Sequence, residues 1–340
     1  MRQVRRRQFL TAAAALLAVP HIARGQTQKR LPVLGMLSIG NPPSPEDIAK
    51  SPFLNRLREL GWIDGKTFSI ERAFSGDNPE RLPELAASLV AKKVDVIWTS
   101  RTPVTVAAAR ATKSIPIVFM MAGYPVELGL VDSLARPGRN VTGVSHVVDE
   151  RVLLKRLQLL RDLAPDARRL ASFAPPATNL PTVAGGVFDF NTRREKIGPV
   201  VRNLGFEPRG FELATVADVE PVLAAVATWK PNALAVYDFT QTALAAKRIV
   251  EFARSHRLAD GYEALQWVRA GGLFSYGNVI LPLLLRTVDM VDRILRGAKP
   301  ADLPVELPSH YELAVNLATA KTLGLKVPQS ILLRADKVIE

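Results

Sequence analysis

The chain of 340 residues carries 45 lysines and arginines against 32 aspartates and glutamates, a formal net charge of +13, with 48% hydrophobic and 23% charged residues and no cysteine. This is ordinary globular usage, which excludes a disordered chain, and the lack of thiols excludes disulfides, a thiol nucleophile, thiolate metal sites and a lipid-modified N-terminal cysteine. Arg2, Arg5, Arg6, Arg7 and Arg24 crowd the N-terminus, and the other excess charges are scattered without an RNA-binding or zinc-finger signature, so nucleic acid is not an expected partner.

In chain order, Arg5-Arg6-Arg7 leads into Phe9-Leu10 and an alanine- and leucine-rich run to Ile22, closed by Ala23-Arg24-Gly25. A charged start, a short apolar run and a small-residue exit read as a removable export signal over residues 1–25, since a membrane span needs about 20 apolar residues. Arg6-Arg7-Gln8-Phe9-Leu10 resembles the core of a twin-arginine signal, which implies export of an already folded chain to the periplasm; an ordinary secretory signal with adjacent arginines is the alternative. The remainder is long enough for two domains of about 100–200 residues each.

Leu31 to Leu37 reads as a buried strand, and Gly40-Asn41-Pro42-Pro43-Ser44-Pro45 as a loop. A helix from Phe53 to Leu60, a strand from Thr67 to Arg72, a helix opened by Asn78-Pro79, a strand from Val94 to Trp98, a helix from Pro103 to Thr112 and a strand from Ile115 to Phe119 follow. The alternation resumes with a helix from Val152 to Leu163, a strand from Leu170 to Phe173, a helix ending near Gly205, a strand from Phe206 to Leu213, a helix opened by Asp218, the strand Ala233 to Tyr237 and a helix from Ala243 to Ser255. An amphipathic helix from Ile280 to Arg296 stops at Gly297. Strands alternating with helices predict two α/β lobes with parallel sheets.

Motifs for covalent chemistry are missing. Gly272-Leu273-Phe274-Ser275-Tyr276-Gly277 has leucine where a nucleophile elbow needs glycine, and no phosphate loop or G-x-G-x-x-G follows a strand. His146, His256 and His310 stand singly, without metal-ligand spacing, and no cofactor is implied. The sequon Asn140-Val141-Thr142 reads as chance in an exported bacterial chain.

The most specific residues are Ile115-Pro116-Ile117-Val118-Phe119, Pro125-Val126, Gly129-Leu130-Val131, and Leu134-Ala135-Arg136-Pro137-Gly138-Arg139-Asn140-Val141-Thr142-Gly143. With Gly61-Trp62, Pro79 to Pro83, Ala270 to Gly277, Arg293 to Glu306 and the C-terminal stretches Asn316 to Lys321 and Ala335 to Glu340, they resemble the tryptophan/tyrosine-type substrate-binding proteins of ABC importers, from about Leu31 to Glu340. The resemblance implies a type I periplasmic-binding-protein fold: two Rossmann-like lobes joined by a three-crossing hinge, with crossings near Ser145, near Tyr276 and from Leu307 to Tyr311. The N-terminal lobe is then 31–145 plus about 277–306, and the C-terminal lobe 146–276 plus about 307–340. The expected function is a soluble, monomeric periplasmic receptor, not an enzyme, that closes on a small amino-acid-like or carboxylate ligand and docks on an inner-membrane ABC permease. A sensory binding protein and a periplasmic α/β enzyme are the alternatives.

Parallel α/β sheets bind ligands beyond the carboxyl ends of their strands. The candidate ligand-binding residues of the first lobe are Ser38, Gly40, Arg101, Thr102, Pro103, Tyr124, Pro125 and Ser145. Thr102 before Pro103 reads as a helix N-cap, whose free N–H groups favour a carboxylate. Arg101 either adds a charged contact or bridges the lobes or faces solvent. In the second lobe the candidates are Ala174, Pro175, Asp238, Thr240, Tyr262 and Tyr276. Asp238 matches an acidic position of the family, so it is either an acceptor for a ligand ammonium group or a helix N-cap. Tyr124, Tyr262 and Tyr276 either sandwich a ligand ring or belong to the core. The chain departs from the family at Tyr124, where many relatives carry aspartate, at Pro176 to Arg194, and at Tyr262-Glu263-Ala264-Leu265.

Overall fold

Continuous apolar runs such as Ile117-Val118-Phe119-Met120 require a sheet buried on both faces, and the chain builds two such sheets. The computed structural model describes residues 30–76, 78–145, 150–174, 180–181, 187–188, 198–237 and 239–340; the expected export signal, His146, Pro175, Asp238 and most of the stretch from Pro176 to Arg194 lie outside them. Both sheets belong to one compact unit, Pro32–Glu340.

The first sheet comprises β1 (Val33–Ser38), β2 (Ser69–Phe74), β3 (Val96–Ser100), β4 (Ile117–Ala122) and β5 (Val141–Ser145), all parallel, in the order β2-β1-β3-β4-β5. Alternate residues feed two cores. Ile97, Ile117 and Phe119 pack with Leu82, Leu89 and Val104 of the helices Leu82–Ala91 and Thr102–Ala111 on one face. Val96, Trp98, Val118 and Met120 pack on the other face with Phe53 and Leu57, and with Leu283, Val288, Val291 and Ile294 of the helix Ile280–Leu295.

The second sheet contains β6 (Arg169–Ala174), β9 (Glu207–Glu212), β10 (Ala233–Ala235), β11 (Ala259–Tyr262), β12 (Phe274–Asn278), β13 (Tyr311–Asn316) and β14 (Lys337–Ile339), in the order β14-β13-β12-β11-β10-β6-β9. A separate two-stranded ribbon pairs β7 (Leu180–Pro181) with β8 (Val187–Phe188). From β9 to β12 the second sheet repeats the winding of the first, with β6 and β10 in the places of β1 and β3. It is not wholly parallel: β13 runs antiparallel to β12, from Asn278↔Tyr311 to Phe274↔Val315.

Three connections join the two sheets. The chain leaves the first at Ser145 and enters the helix Glu150–Leu163, whose Leu153, Leu157 and Leu160 belong to the second core. It returns after Asn278, two residues beyond the expected position at Tyr276, into the helix Ile280–Leu295. It leaves again between Glu306, which bridges to Val144 beside β5, and Tyr311, which opens β13. Two local expectations shift. Pro45 belongs to a helix, Pro45–Lys50, capped by Ser44, and the expected helix from Ala243 is two, Thr240–Leu244 and Ala246–Ser255.

Candidate functional site

The connections leave β5 and β12 at their carboxyl ends, and the third runs from beside Val144 to the partner of Asn278. The carboxyl edges of both sheets therefore adjoin the connecting segments. Each winding reverses direction once, between β1 and β3 in the first sheet and between β6 and β10 in the second, and such switch points are where open α/β sheets leave room for a ligand.

At the first switch point the hydroxyls of Ser38 and Ser100 lie 3.1 Å apart. Gly40, at φ +87°, is already paired: its N–H and C=O both bond Gly76 at 3.0 Å. Arg101, not Thr102, occupies the N-cap position of the helix Thr102–Ala111, and no side chain caps that end. Thr102 and Pro103 are the first residues of the helix, and Thr102 Oγ1 instead accepts the N–H of Gly123 at 3.0 Å, tying the helix start to the end of β4. The sequence missed Ser100, whose side chain looks like any strand-end serine.

Six non-glycine residues among those described have positive φ. Lys93, Lys230 and Arg257 follow the helices Leu82–Ala91, Val219–Trp229 and Ala246–Ser255 closely, where left-handed geometry is a normal terminator. Arg101, Met121 and Tyr124 lack that excuse and sit together at the carboxyl ends of β3 and β4. Arg101, at φ +70° and ψ 158°, is in a region reserved almost entirely for glycine, and such strain costs of order 1–3 kcal/mol per residue. The register of β4 against β5 slips between Met120 and Ala122, which accommodates Met121. Tyr124 packs on the first core, and the C=O of buried Pro125 accepts the N–H groups of Leu130 and Val131, so this loop is rigidly held.

Ser145 is fully buried and committed to structure: its hydroxyl donates to Ala122 O at 2.8 Å and its N–H to Glu306 O at 2.8 Å. In the second sheet Ala174 ends β6 and is buried. The N-cap position of the helix Thr240–Leu244 falls on Phe239, whose N–H bonds Thr242 Oγ1 at 3.0 Å. Tyr262 does not offer a face to a ligand. It is 0% exposed, stacks on Trp267 at 4.9 Å and donates its hydroxyl to buried Asp260. Burial pushes the Asp260 carboxyl up to about 6, against the opposing hydrogen bonds from Tyr262 and the Leu273 N–H. Tyr276 is half-buried and stacked on Tyr311 at 6.0 Å, beside the second and third connections.

Behind Tyr276 lies a buried ion pair. Arg156 Nη1 donates to Glu263 Oε1 at 2.9 Å and Nε to Tyr276 O at 3.1 Å, with the two side chains only 4% and 6% exposed. The sequence carries a signal of it: Arg156 interrupts the apolar stripe Leu153, Leu157, Leu160 of its helix. Gly277 lets β12 run against this pair, since a Cβ there would meet Glu263 O at 1.7 Å.

A cavity of about 200 Å³ opens elsewhere, at the amino edge of the first sheet, lined by Lys113, Arg139 and Asn140 among others. Its cations already donate to Ala109 O, Asp132 and Gly129 O, so it offers no vacant charge. Among the described residues no cluster of metal-ligating side chains forms, and no helix is long and apolar enough to cross a membrane.

Two like-wound α/β sheets connected three times at their carboxyl edges define the type I periplasmic-binding-protein class. Residues 43–339 match the family model described as ABC transporter substrate binding protein, and the chain belongs to that family. The fold is similar to a conserved domain protein from Vibrio cholerae, with 24% identity, TM-score 0.79 and coverage of 91% of this chain and all of that one. It is also similar to an ABC domain from Streptococcus pneumoniae crystallised with L-Trp, with 26% identity, TM-score 0.78 and coverage of 91% and 100%. In sequence it is 25% identical over 281 residues to a tyrosine-binding protein of Clostridioides difficile, covering 82% of this chain and 77% of that one. Membership places the chain among proteins that bind a small-molecule substrate for an ABC transporter.

Proposed function

We propose that this protein is the exported receptor of an ABC importer, and that it binds a small amino-acid-like or carboxylate ligand between the carboxyl edges of its two sheets. What supports the reading is that the switch point of each sheet and the three connections all lie at the carboxyl edges of the sheets. A ligand held from both sides contacts both only when they approach, so it favours the closed form by its differential affinity. The uncapped start of the helix Thr102–Ala111, with Arg101 beside it, suits a ligand carboxylate. Asp238 is assigned the ammonium group from its match to the family, and Tyr276 and Tyr124 an apolar side chain. The tryptophan and tyrosine named for the relatives support an amino acid with an aromatic ring. In this reading residues 1–25 direct export, 31–145 with about 279–306 form one lobe, and 146–278 with about 307–340 the other. The loaded protein, a monomer, docks on an inner-membrane permease.

Thermal unfolding is measured with L-tryptophan, L-tyrosine, other amino acids, aromatic carboxylates and small amides. A ligand at 100 times its Kd adds about 2.7 kcal/mol of stability. The expected result is a clear shift with one ligand class, confirmed by calorimetry, weakened by Asp238→Ala and without turnover. No shift across the panel, or conversion of the bound compound, refutes the proposal.

A further inference from the structure

We infer that the Arg286–Glu306 ion pair is the positioning element of the hinge, fixing where the two halves pivot; this rests on the reading of the protein as one that closes on a ligand. Glu306 touches the start of the first connection and the helix after the second, and it begins the third. The segment leading to it lies along the edge strand β5: Thr142 Oγ1 donates to Leu303 O at 2.6 Å, and the N–H of Glu306 donates to Gly143 O at 3.0 Å. The N–H of Ser145, where the first connection departs, donates to Glu306 O at 2.8 Å. The carboxylate of Glu306 receives both Nε, at 2.8 Å, and Nη2 of Arg286, which stands on the helix entered immediately after the second connection. The third connection begins at Glu306 itself. One residue thus holds the start of the first connection by its backbone, the helix that follows the second by its side chain, and begins the third.

Beyond this grip little of the second and third connections is free to turn. Asn278 and Tyr311 are paired in the second sheet, so only Val279 separates β12 from the following helix, and only Leu307, Pro308, Ser309 and His310 separate Glu306 from β13. The pair is not there to hold the fold together. Its side chains are part-exposed, at 54% and 34%, where solvent screens the attraction, and the helix Ile280–Leu295 is already held by Leu283, Val288, Val291 and Ile294. What a two-pronged arginine–carboxylate contact supplies is orientation. Arg286 also faces Asp289, which is engaged by Arg56, so the guanidinium is aimed from both ends. Without the pair, Glu306 keeps only its backbone bonds to the edge of β5, and the pivot spreads along 306–310.

The chain has no cysteine, so Glu84→Cys and Lys247→Cys, at exposed positions on the two sides, accept spin labels directly. Pulsed electron spin resonance then gives the inter-half distance distribution of the ligand-free protein, alone and with Glu306→Gln or Arg286→Met. The expected result is a broadened distribution in both variants, a urea-unfolding midpoint close to the parent's, and recovery of the narrow distribution in the charge swap Arg286→Glu with Glu306→Arg. An unchanged width in both variants, or a large loss of stability, overturns the inference. Because the distances are read without ligand, failure of every compound to bind overturns the receptor reading and leaves this comparison intact.

Discussion

Replacing Glu263 by alanine leaves the Arg156 guanidinium in a site where its side chain is 4% exposed and its remaining hydrogen bond is to Tyr276 O. Removing one partner of a buried pair costs about 3–5 kcal/mol, because the desolvation of the survivor is no longer offset. Replacing both partners by apolar residues removes that penalty, so Arg156→Met with Glu263→Met unfolds with a free energy close to that of the parent. The cycle formed by the parent, Arg156→Met, Glu263→Met and the double variant therefore yields a coupling energy of roughly 6–10 kcal/mol, since each single costs about 3–5 kcal/mol and the double almost nothing. Urea unfolding followed by far-UV circular dichroism gives the four free energies. Fluorescence adds a local probe through Trp267, which stacks on Tyr262 next to Glu263. Single variants within 1 kcal/mol of the parent, or a coupling energy of zero, would falsify the account of this pair as a desolvated, mutually dependent unit.

Arg101→Gly relieves a backbone strain of order 1–3 kcal/mol and gives back about 0.5–1 kcal/mol in chain entropy, so a net gain of about 0–2.5 kcal/mol is expected in urea unfolding, together with weaker binding of a carboxylate ligand. A destabilised glycine variant contradicts the strain argument. Asp260 has a folded pKa of about 6, above its unfolded value, so the native state binds the extra proton and its contribution is full below about pH 4 and lost as pH rises through about 6. The stability of the parent relative to Asp260→Asn therefore falls between pH 4 and pH 7 by on the order of 2–3 kcal/mol, and a difference independent of pH refutes the assignment.

The strands buried on both faces, β3 and β4, were legible because such strands show unbroken apolar runs, and the helix Ile280–Leu295 because one face alone is apolar. β11 carries no such signal, since Ala259-Asp260-Gly261-Tyr262 has no apolar run; its polar residue is satisfied by the Tyr262 hydroxyl of the same strand and by the N–H of Leu273, just before β12. No local pattern announces that β13 turns antiparallel. At the site, proline at position 103 located the helix but not its cap, which the strained turn at Arg101 moved by one residue. Tyr262 and Tyr276 are the same residue type beside similar neighbours. What separates them is Gly272, whose missing side chain leaves the space that the Tyr262 ring fills, a contact 2.4 Å from where a Cβ would be.

The sheet formed by residues 33–145 is roofed on one side by residues 280–295, which are made only after the whole of the intervening half has been synthesised. A nascent chain paused anywhere before that helix displays Leu34, Trp98, Val118 and Met120 without their cover. The two halves therefore mature together late in translation rather than one after the other, and a stop codon placed after Ser145 yields an incomplete fragment instead of an independent module.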